Sequence, residues 1–184
     1  MILRMVERRK KPAPLGPAWD AEGFRSGLVA RLVAVLGDPR WGCDVVLVDD
    51  DIMAGLNKEF RVVPGLTDVL SFSYLQSAGS GEAVLERGQG YAFSDLWLDS
   101  LATEQEDGQV QVVGEVVLAP GFIVDRCGEK NWPEDLEIPL LVVHGILHIL
   151  GWDHDDEGTT AAMRKVETEI LAGEGLSHPL QERG

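Results

Sequence analysis

Apolar and polar positions alternate along the chain with two periods, one typical of helices and the other of strands. Apolar residues recur at four-residue steps from Leu28 to Leu36 and predict an amphipathic helix over residues 19–36. Gly37 is a typical residue for ending such a helix. A similar pattern near the other end of the chain predicts a helix over residues 159–171.

A short helix is predicted from Ile52 to Arg61. Leu56 and Phe60 lie four residues apart and are expected on its buried side. Asn57 and Arg61 are also four residues apart and share an adjoining face. We therefore expect this second pair to point into a cleft.

Three segments rich in β-branched and aromatic residues predict strands, namely residues 43–50, 67–74 and 110–119. Residues 136–150 are almost wholly apolar, which is typical of a helix buried on most of its sides. Strands and helices mixed in this order predict an α/β (α+β) fold with a mixed sheet and flanking helices.

A chain of 184 residues is long enough for one domain of ordinary size. We predict a basic, proline-rich N-terminal tail at residues 1–18 and a single domain at residues 19–174. Residues 77–109 are rich in Gly, Ser, Glu and Asp and are interpreted as a loop or hairpin inserted into that domain. Residues 175–184 are expected to form a C-terminal tail.

The formal net charge of -15 argues against a general electrostatic grip on nucleic acid, because domains that bind in this way carry basic faces. Any contact with RNA must then be local. The N-terminal tail is an exception, since five cations there face one acid, Glu7: Arg4, Arg8, Arg9, Lys10 and Lys11. Such a tail is usually a solvated, disordered end, and an arm that contacts RNA is the alternative.

Two cysteines, Cys43 and Cys127, lie far apart in a sequence that shows no secretory signal. A disulfide framework is therefore not expected. No apolar run approaches the length needed to cross a bilayer. We expect a cytoplasmic protein without a membrane partner.

The strongest chemical signal is a cluster of three histidines in the segment HGILHILGWDH. His144 and His148 are four residues apart, so on a helix both imidazoles can meet one metal ion. Gly151 allows the backbone to leave helical geometry and bring His154 to the same point. Three neutral imidazoles and one open position form the ligand set of a catalytic zinc ion, one per chain. Asp153 is either a partner that orients an imidazole or a turn residue.

The same spacing occurs in metzincin proteases, whose motif places a glutamate directly after the first histidine as the general base. This chain has Gly145 at that position. The motif therefore retains the metal geometry and lacks the proteolytic base.

The chain resembles the YbeY endoribonucleases, also known as rRNA maturation factors, over roughly residues 45–171. Four stretches carry the resemblance: LNKEFR at 56–61, TDVLSF at 67–72, GEVVLA at 114–119 and the histidine segment at 144–154. The resemblance implies a zincin-like fold and metal-dependent cleavage of single-stranded RNA. It also implies a role in maturing the 3′ end of small-subunit rRNA and in ribosome quality control.

The resemblance makes His144, His148 and His154 the zinc ligands and Arg61 an important cleft residue. We expect Arg61 and His144 to act in catalysis, with the arginine forking onto the phosphate. The expected substrate-binding residues are Asn57, Thr67, Asp68 and Ser71.

The expected partners are single-stranded RNA, rRNA and the small ribosomal subunit, and no DNA is expected. The nucleophile, either water or the RNA 2′-OH, stays open at this point. Two alternatives also stay open. One is another metal-dependent hydrolase, acting on peptides or small molecules, and the other is a non-catalytic ribosome assembly factor with a structural zinc.

Overall fold

The computed structural model describes residues 1–10, 12, 22–37, 41–62, 64–74 and 110–172. The strands are β1 (Ile2–Glu7), β2 (Trp41–Leu47), β3 (Val69–Ser73) and β4 (Gln111–Leu118). The helices are α1 (Glu22–Leu36), α2 (Asp50–Leu56), α3 (Pro120–Lys130), α4 (Glu134–Ile149) and α5 (Glu157–Ala172). A π-helical turn, Asn57–Arg61, continues directly from α2.

The four strands form one mixed sheet in the order β1-β2-β4-β3. Strands β1 and β2 are parallel, as are β2 and β4, whereas β3 runs antiparallel to β4. The predicted α/β fold with a mixed sheet and flanking helices is thus confirmed in the described residues. Strand β3 lies at one edge of the sheet and packs against α4.

Side chains of β4 alternate between two apolar clusters on the two faces of the sheet. Val116 and Leu118 pack with helices α1, α4 and α5, whereas Val117 packs with Met53 of α2. A strand that is covered on both faces is apolar at most positions, and this explains the high apolar content of β4. The larger cluster positions α4, because that helix packs on β3, β4, α3 and α5.

Two expectations about single elements are wrong. The N-terminal residues were expected to be an unstructured tail, yet Ile2–Glu7 forms an edge strand in register with Gly42 to Leu47 of β2. Phe60 was expected on a buried face, but its side chain is 58% exposed. The π-helical turn explains the second error, because it changes the angular step that the four-residue spacing assumes.

Three cations of the N-terminal segment pair with nearby acids. Arg4 binds Asp44 at 2.7 Å, Arg9 binds Glu7 at 2.6 Å and Lys10 binds Asp51 at 2.8 Å. These contacts favour a structural role over an arm that contacts RNA.

Several expectations fall on residues that the structure does not describe. The proposed inserted segment 77–109 and the C-terminal tail 175–184 lie outside the described residues, as does the start of the predicted first helix. The domain limits stay a prediction. Helix α3 was not predicted from the sequence. Among the described helices, none has both the length and the apolar character that a membrane span requires.

Candidate metal centre and its pocket

His144 and His148 lie one turn apart on α4, and their rings meet at a common point. The ring centroids are 4.5 Å apart with planes at 85° to each other. The two Nε2 atoms are 3.1 Å apart. Two nitrogens that each lie about 2 Å from one tetrahedral zinc ion would be about 3.3 Å apart, so the observed spacing fits a shared ion.

His154 reaches the same point because the chain turns sharply after α4. The helix ends at Ile149, and Gly151 adopts a φ of +86°, which a residue with a side chain rarely takes. The His154 ring lies 5.4 Å from that of His144 and 4.9 Å from that of His148. One ring nitrogen from each histidine can be chosen so that all lie within 4.8 Å of one another. The predicted convergence of the three histidines is therefore present.

The hydrogen bonds of two rings determine which nitrogen faces this point. The Nδ1 atom of His144 lies 2.8 Å from a carboxylate oxygen of Glu167, and that of His148 lies 2.9 Å from the carbonyl oxygen of Trp152. A carboxylate and a carbonyl can only accept, so each Nδ1 carries the proton and donates. In the neutral rings both Nε2 atoms then present lone pairs to each other, an arrangement that a bound cation stabilises.

Burial, with the neighbouring His144 and His154, lowers the pKa of His148 to about 4. An imidazole must be neutral to bind a metal. His148 is therefore in its ligand form at neutral pH.

The metal-free protein should lose stability as the pH falls from about 6.5 toward 4. In the unfolded chain His148 takes up a proton near its ordinary pKa of about 6.5, whereas the folded protein resists protonation until the pH is about 4. Between these values the unfolded state binds the extra proton, and the free energy of unfolding decreases. Thermal unfolding in chelator at pH 7 and pH 5 tests this. His148→Gln, which does not titrate, should lose less stability than the wild type, and equal losses would contradict the assignment.

Glu167 belongs to the candidate metal centre and was not predicted from the sequence. It lies on α5, is 3% exposed, and orients His144 through the hydrogen bond to Nδ1. Asp153, for which two roles were open, accepts a hydrogen bond from the backbone N–H of His154 at 2.8 Å. That contact is the role of a turn residue. The orienting carboxylate comes instead from a helix that follows in the chain.

Glu167→Gln should weaken metal binding by a factor of about 10 to 100, which is the usual effect of changing a residue that orients a ligating histidine. The amide still accepts the hydrogen bond from His144 but lacks the negative charge that makes the imidazole a stronger ligand. Competition with a chromophoric chelator measures the affinity. Glu169→Gln, at an exposed position on the same helix, is the matched control. Equal affinities of Glu167→Gln and wild type would contradict the role of Glu167.

Gly145 has a packing role that explains why a glutamate is absent there. A Cβ atom at this position would lie 2.8 Å from both methyl groups of Val116 on β4, closer than real Cβ contacts. Position 145 therefore faces the sheet and allows α4 to approach it closely. A side chain there would have no room, so the packing of α4 on the sheet excludes a glutamate base at this position.

His144 and His154 line a pocket of about 440 Å³, a volume within the usual range for ligand sites. Arg61, Thr67 and Asp68 line it together with His144 and His154. The structure thus brings together five of the predicted site residues. His148 does not line the pocket, but one of its ring nitrogens lies within 4.8 Å of a ring nitrogen of each of the other two histidines.

Two of the predicted substrate residues lie elsewhere. Asn57 is 4% exposed and donates a hydrogen bond to the carbonyl of Gly65 at 3.0 Å. Ser71 is half-buried on β3, and neither residue lines the pocket. Asn57 therefore supports the loop that leads to Thr67, because it is turned toward the loop backbone instead of the cleft.

Asp68 lines the pocket within a charge network that the sequence analysis missed. Its carboxylate forms an ion pair with Arg126 of α3, and the same guanidinium binds Glu137 of α4 at 2.6 Å. Arg126 also lies over the Trp132 ring at 5.4 Å. This network ties the loop before β3 to the helix that carries the histidines. Little in the sequence indicated this network, because Arg126 lies on α3, a helix that was not predicted.

Several known proteins are similar to this chain. A protein-family model described as Endoribonuclease YbeY matches residues 29–175. Endoribonuclease YbeY of Clostridium tetani is 35% identical over 133 residues, which cover 72% of this chain and 74% of the relative. The protein of the same name from Sphingopyxis alaskensis is 33% identical over 165 residues, covering 89% of this chain and 86% of the relative.

Among solved structures, the solution structure of a Thermotoga maritima protein covers 94% of this chain and 91% of its own, with a TM-score of 0.49 and 21% identity. The family model spans most of the residues that form the sheet, the three histidines and the pocket. The chain therefore belongs to the YbeY family of endoribonucleases, which are hydrolases that cleave RNA.

Proposed function

We propose that this protein is a zinc-dependent endoribonuclease that cleaves single-stranded RNA and matures the 3′ end of small-subunit rRNA. One observation carries the proposal. Three histidines converge at the wall of a pocket that also contains Arg61, and no described residue pairs with the guanidinium of that arginine. The site thus combines a metal-ligand set with a cation that is available for a phosphate.

Zinc is the metal that these residues fit best. The three ligands would be His144, His148 and His154, with one ion per chain. Imidazole suits zinc and some other transition metals, whereas magnesium and calcium prefer oxygen ligands. Three protein ligands leave a position for water or substrate, which is typical of catalytic sites and not of structural ones.

When bound, zinc supplies Lewis-acid chemistry to a phosphate oxygen or to water. Arg61 would bind the scissile phosphate through two parallel hydrogen bonds and offset the negative charge that grows in the transition state. Thr67 would contact the same strand from the pocket wall. Asp68 would hold Arg126 and so maintain the shape of the cleft.

The charge of the pocket limits which groups can move a proton. The carboxylates that line it in the described part of the chain are Asp68, Glu137 and Glu167, and each has a cationic or histidine partner. None is placed as a free general base. We therefore give none of these three carboxylates the role of general base, and the nucleophile, either water or the RNA 2′-OH, would release its proton to solvent water.

A single strand suits this pocket better than a duplex. The metal ligands form the wall of a recess, so the phosphate has to enter it. A single strand can bend its backbone into such a recess, whereas an A-form helix presents its phosphates on a rigid surface. The net charge of -15 also disfavours broad contact with a duplex.

The remaining parts of the proposal rest on the family resemblance. They are the maturation of the small-subunit rRNA 3′ end, the small ribosomal subunit as partner, a part in ribosome quality control, and a cytoplasmic location. In this acidic chain the cations proposed to bind RNA are confined to the pocket. This agrees with a substrate that is presented on a ribosomal particle, where other proteins and RNA provide the wider contacts.

Cleavage assays test the proposal against its alternatives. Purified protein is incubated with labelled single-stranded RNA, duplex RNA, single-stranded DNA and a casein-type peptide, each with and without chelator. We expect cleavage of single-stranded RNA alone, loss of activity in chelator and recovery with one equivalent of zinc. Cleavage of the peptide would favour another hydrolase. Bound zinc without cleavage of any substrate would favour an assembly factor with a structural metal.

A further inference from the structure

Six charged side chains other than histidine line the pocket, three cations and three acids: Arg61, Arg126, Arg164, Asp68, Glu137 and Glu167. Most of them are paired with one another or with the metal centre. Arg126 binds both Asp68 and Glu137, and Glu167 binds His144. Within the described part of the chain, the guanidinium groups of Arg61 and Arg164 are left without a partner. The pocket therefore offers two cations, and the proposed mechanism uses only the first.

Arg164 lies on the pocket side of α5. Thr160, Arg164 and Glu167 follow one another at spacings of four and three residues and all line the pocket, as neighbours on one helix face do. Thr160 also donates a hydrogen bond to the carbonyl of His154 at 3.2 Å, which ties this face of α5 to the third metal ligand. Lys165, the next residue, is exposed and does not line the pocket.

Such an unpaired arginine is significant in this protein because its surroundings are acidic. With a net charge of -15, carboxylates are available to most cations, and Arg126 has two of them. Guanidinium binds phosphate oxygens through paired hydrogen bonds, and each phosphate of a single strand carries one negative charge. A polyanion that is repelled at long range needs more than one short-range contact in order to stay bound.

We propose that Arg164 binds a phosphate next to the scissile one and so holds the RNA strand across the metal centre. This subsite rests on the proposed ribonuclease function and extends it. Arg61 contacts the reacting phosphate, whereas Arg164 contacts a neighbour that does not react. Arg164 is thus a substrate-binding residue, and the minimal substrate contains at least two phosphodiesters.

The test combines one variant with a set of altered substrates. The substrate is a short single-stranded oligoribonucleotide, and further copies each carry one uncharged methylphosphonate linkage at a different position beside the cleavage site. For wild type, one of these substitutions should lower kcat/KM about tenfold, the loss that corresponds to one hydrogen bond to a charged group. Arg164→Ala should lower kcat/KM on the all-phosphate strand by a similar factor, mainly through KM.

The two changes should not multiply at that one position, because each removes the same contact. Lys165→Ala removes a positive charge from the adjacent exposed position and should behave as wild type. Zinc content and thermal unfolding establish that each variant is folded. The salt dependence of binding should also decrease for Arg164→Ala and not for Lys165→Ala.

Three results would overturn the subsite. One is a KM for Arg164→Ala within about twofold of wild type, well below the effect of a charged hydrogen bond. Another is multiplicative effects at every methylphosphonate position, and the third is a loss confined to kcat, which would place Arg164 on the reacting phosphate. If wild type cleaves no RNA at all, the proposed function fails and the subsite fails with it. Wild-type cleavage with an unchanged Arg164→Ala variant leaves the proposed function intact and rejects only the subsite.

Discussion

Replacing His148 with alanine should remove the metal and reduce RNA cleavage by a factor of about a thousand or more. A metal ion contributes several kcal/mol to a transition state of this kind, and each 1.4 kcal/mol corresponds to about a factor of ten in rate. The Nε2 atom of His148 lies 3.1 Å from that of His144, so both face the proposed metal position. Two histidines alone do not complete a catalytic zinc site. Elemental analysis should give about one zinc per wild-type chain, as this ligand set implies, and little in the variant.

The control for this variant is His178→Ala, which changes the fourth histidine of the chain. It lies outside the described residues and is not among the proposed ligands. Metal content and cleavage should match wild type. Undiminished zinc in His148→Ala would remove the basis of the metal centre, and a wild-type protein without metal would do the same. Loss of zinc with undiminished cleavage would separate the metal from the reaction.

Arg61→Lys should lower the rate of RNA cleavage by a factor of about a hundred to a thousand, the cost of losing one preorganised donor to a transition-state oxyanion. The substitution keeps the charge but loses the planar fork that donates two parallel hydrogen bonds to a phosphate. Arg61 lines the pocket and has no partner among the described residues, so its removal breaks no described contact. Zinc content and thermal stability should therefore stay close to those of wild type.

Lys58→Arg is a suitable control, because it makes the reverse change at an exposed residue of the same π-helical turn. Its cleavage rate should equal that of wild type. A rate for Arg61→Lys within about threefold of wild type, far from the loss of an oxyanion donor, would contradict a catalytic role. Arg61 would then be only a cation at the C-terminal end of its helical turn, where it interacts favourably with the exposed carbonyl groups.

Features encoded within short segments of the sequence agree with the structure. The strands β2, β3 and β4 coincide with runs of β-branched and aromatic residues. Helix α4 coincides with an apolar run that ends just before Gly151. The three histidines were found because their spacing matches one helical turn followed by a sharp reversal. Local periodicity determines such features, since each depends on residues within a few positions of one another.

Contacts between distant segments could not be predicted in this way. Met1 to Lys10 resembles a disordered basic tail, but β1 is stabilised by parallel pairing with β2, whose residues lie forty positions further along. Arg126 was overlooked because its acidic partners come from the loop before β3 and from α4. A single sequence does not indicate which side chains from distant segments contact each other.

The chain by itself indicated the candidate ligand set and the lack of a proteolytic base, since both are properties of residue type and spacing within 144–154. Tertiary structure alone decided which groups surround the metal centre. Glu167 reaches His144 because α5 packs against α4. Packing of the same kind turned Asn57 toward a loop and placed Arg164 in the same pocket as Arg61, because the surroundings of a side chain depend on which elements meet in space.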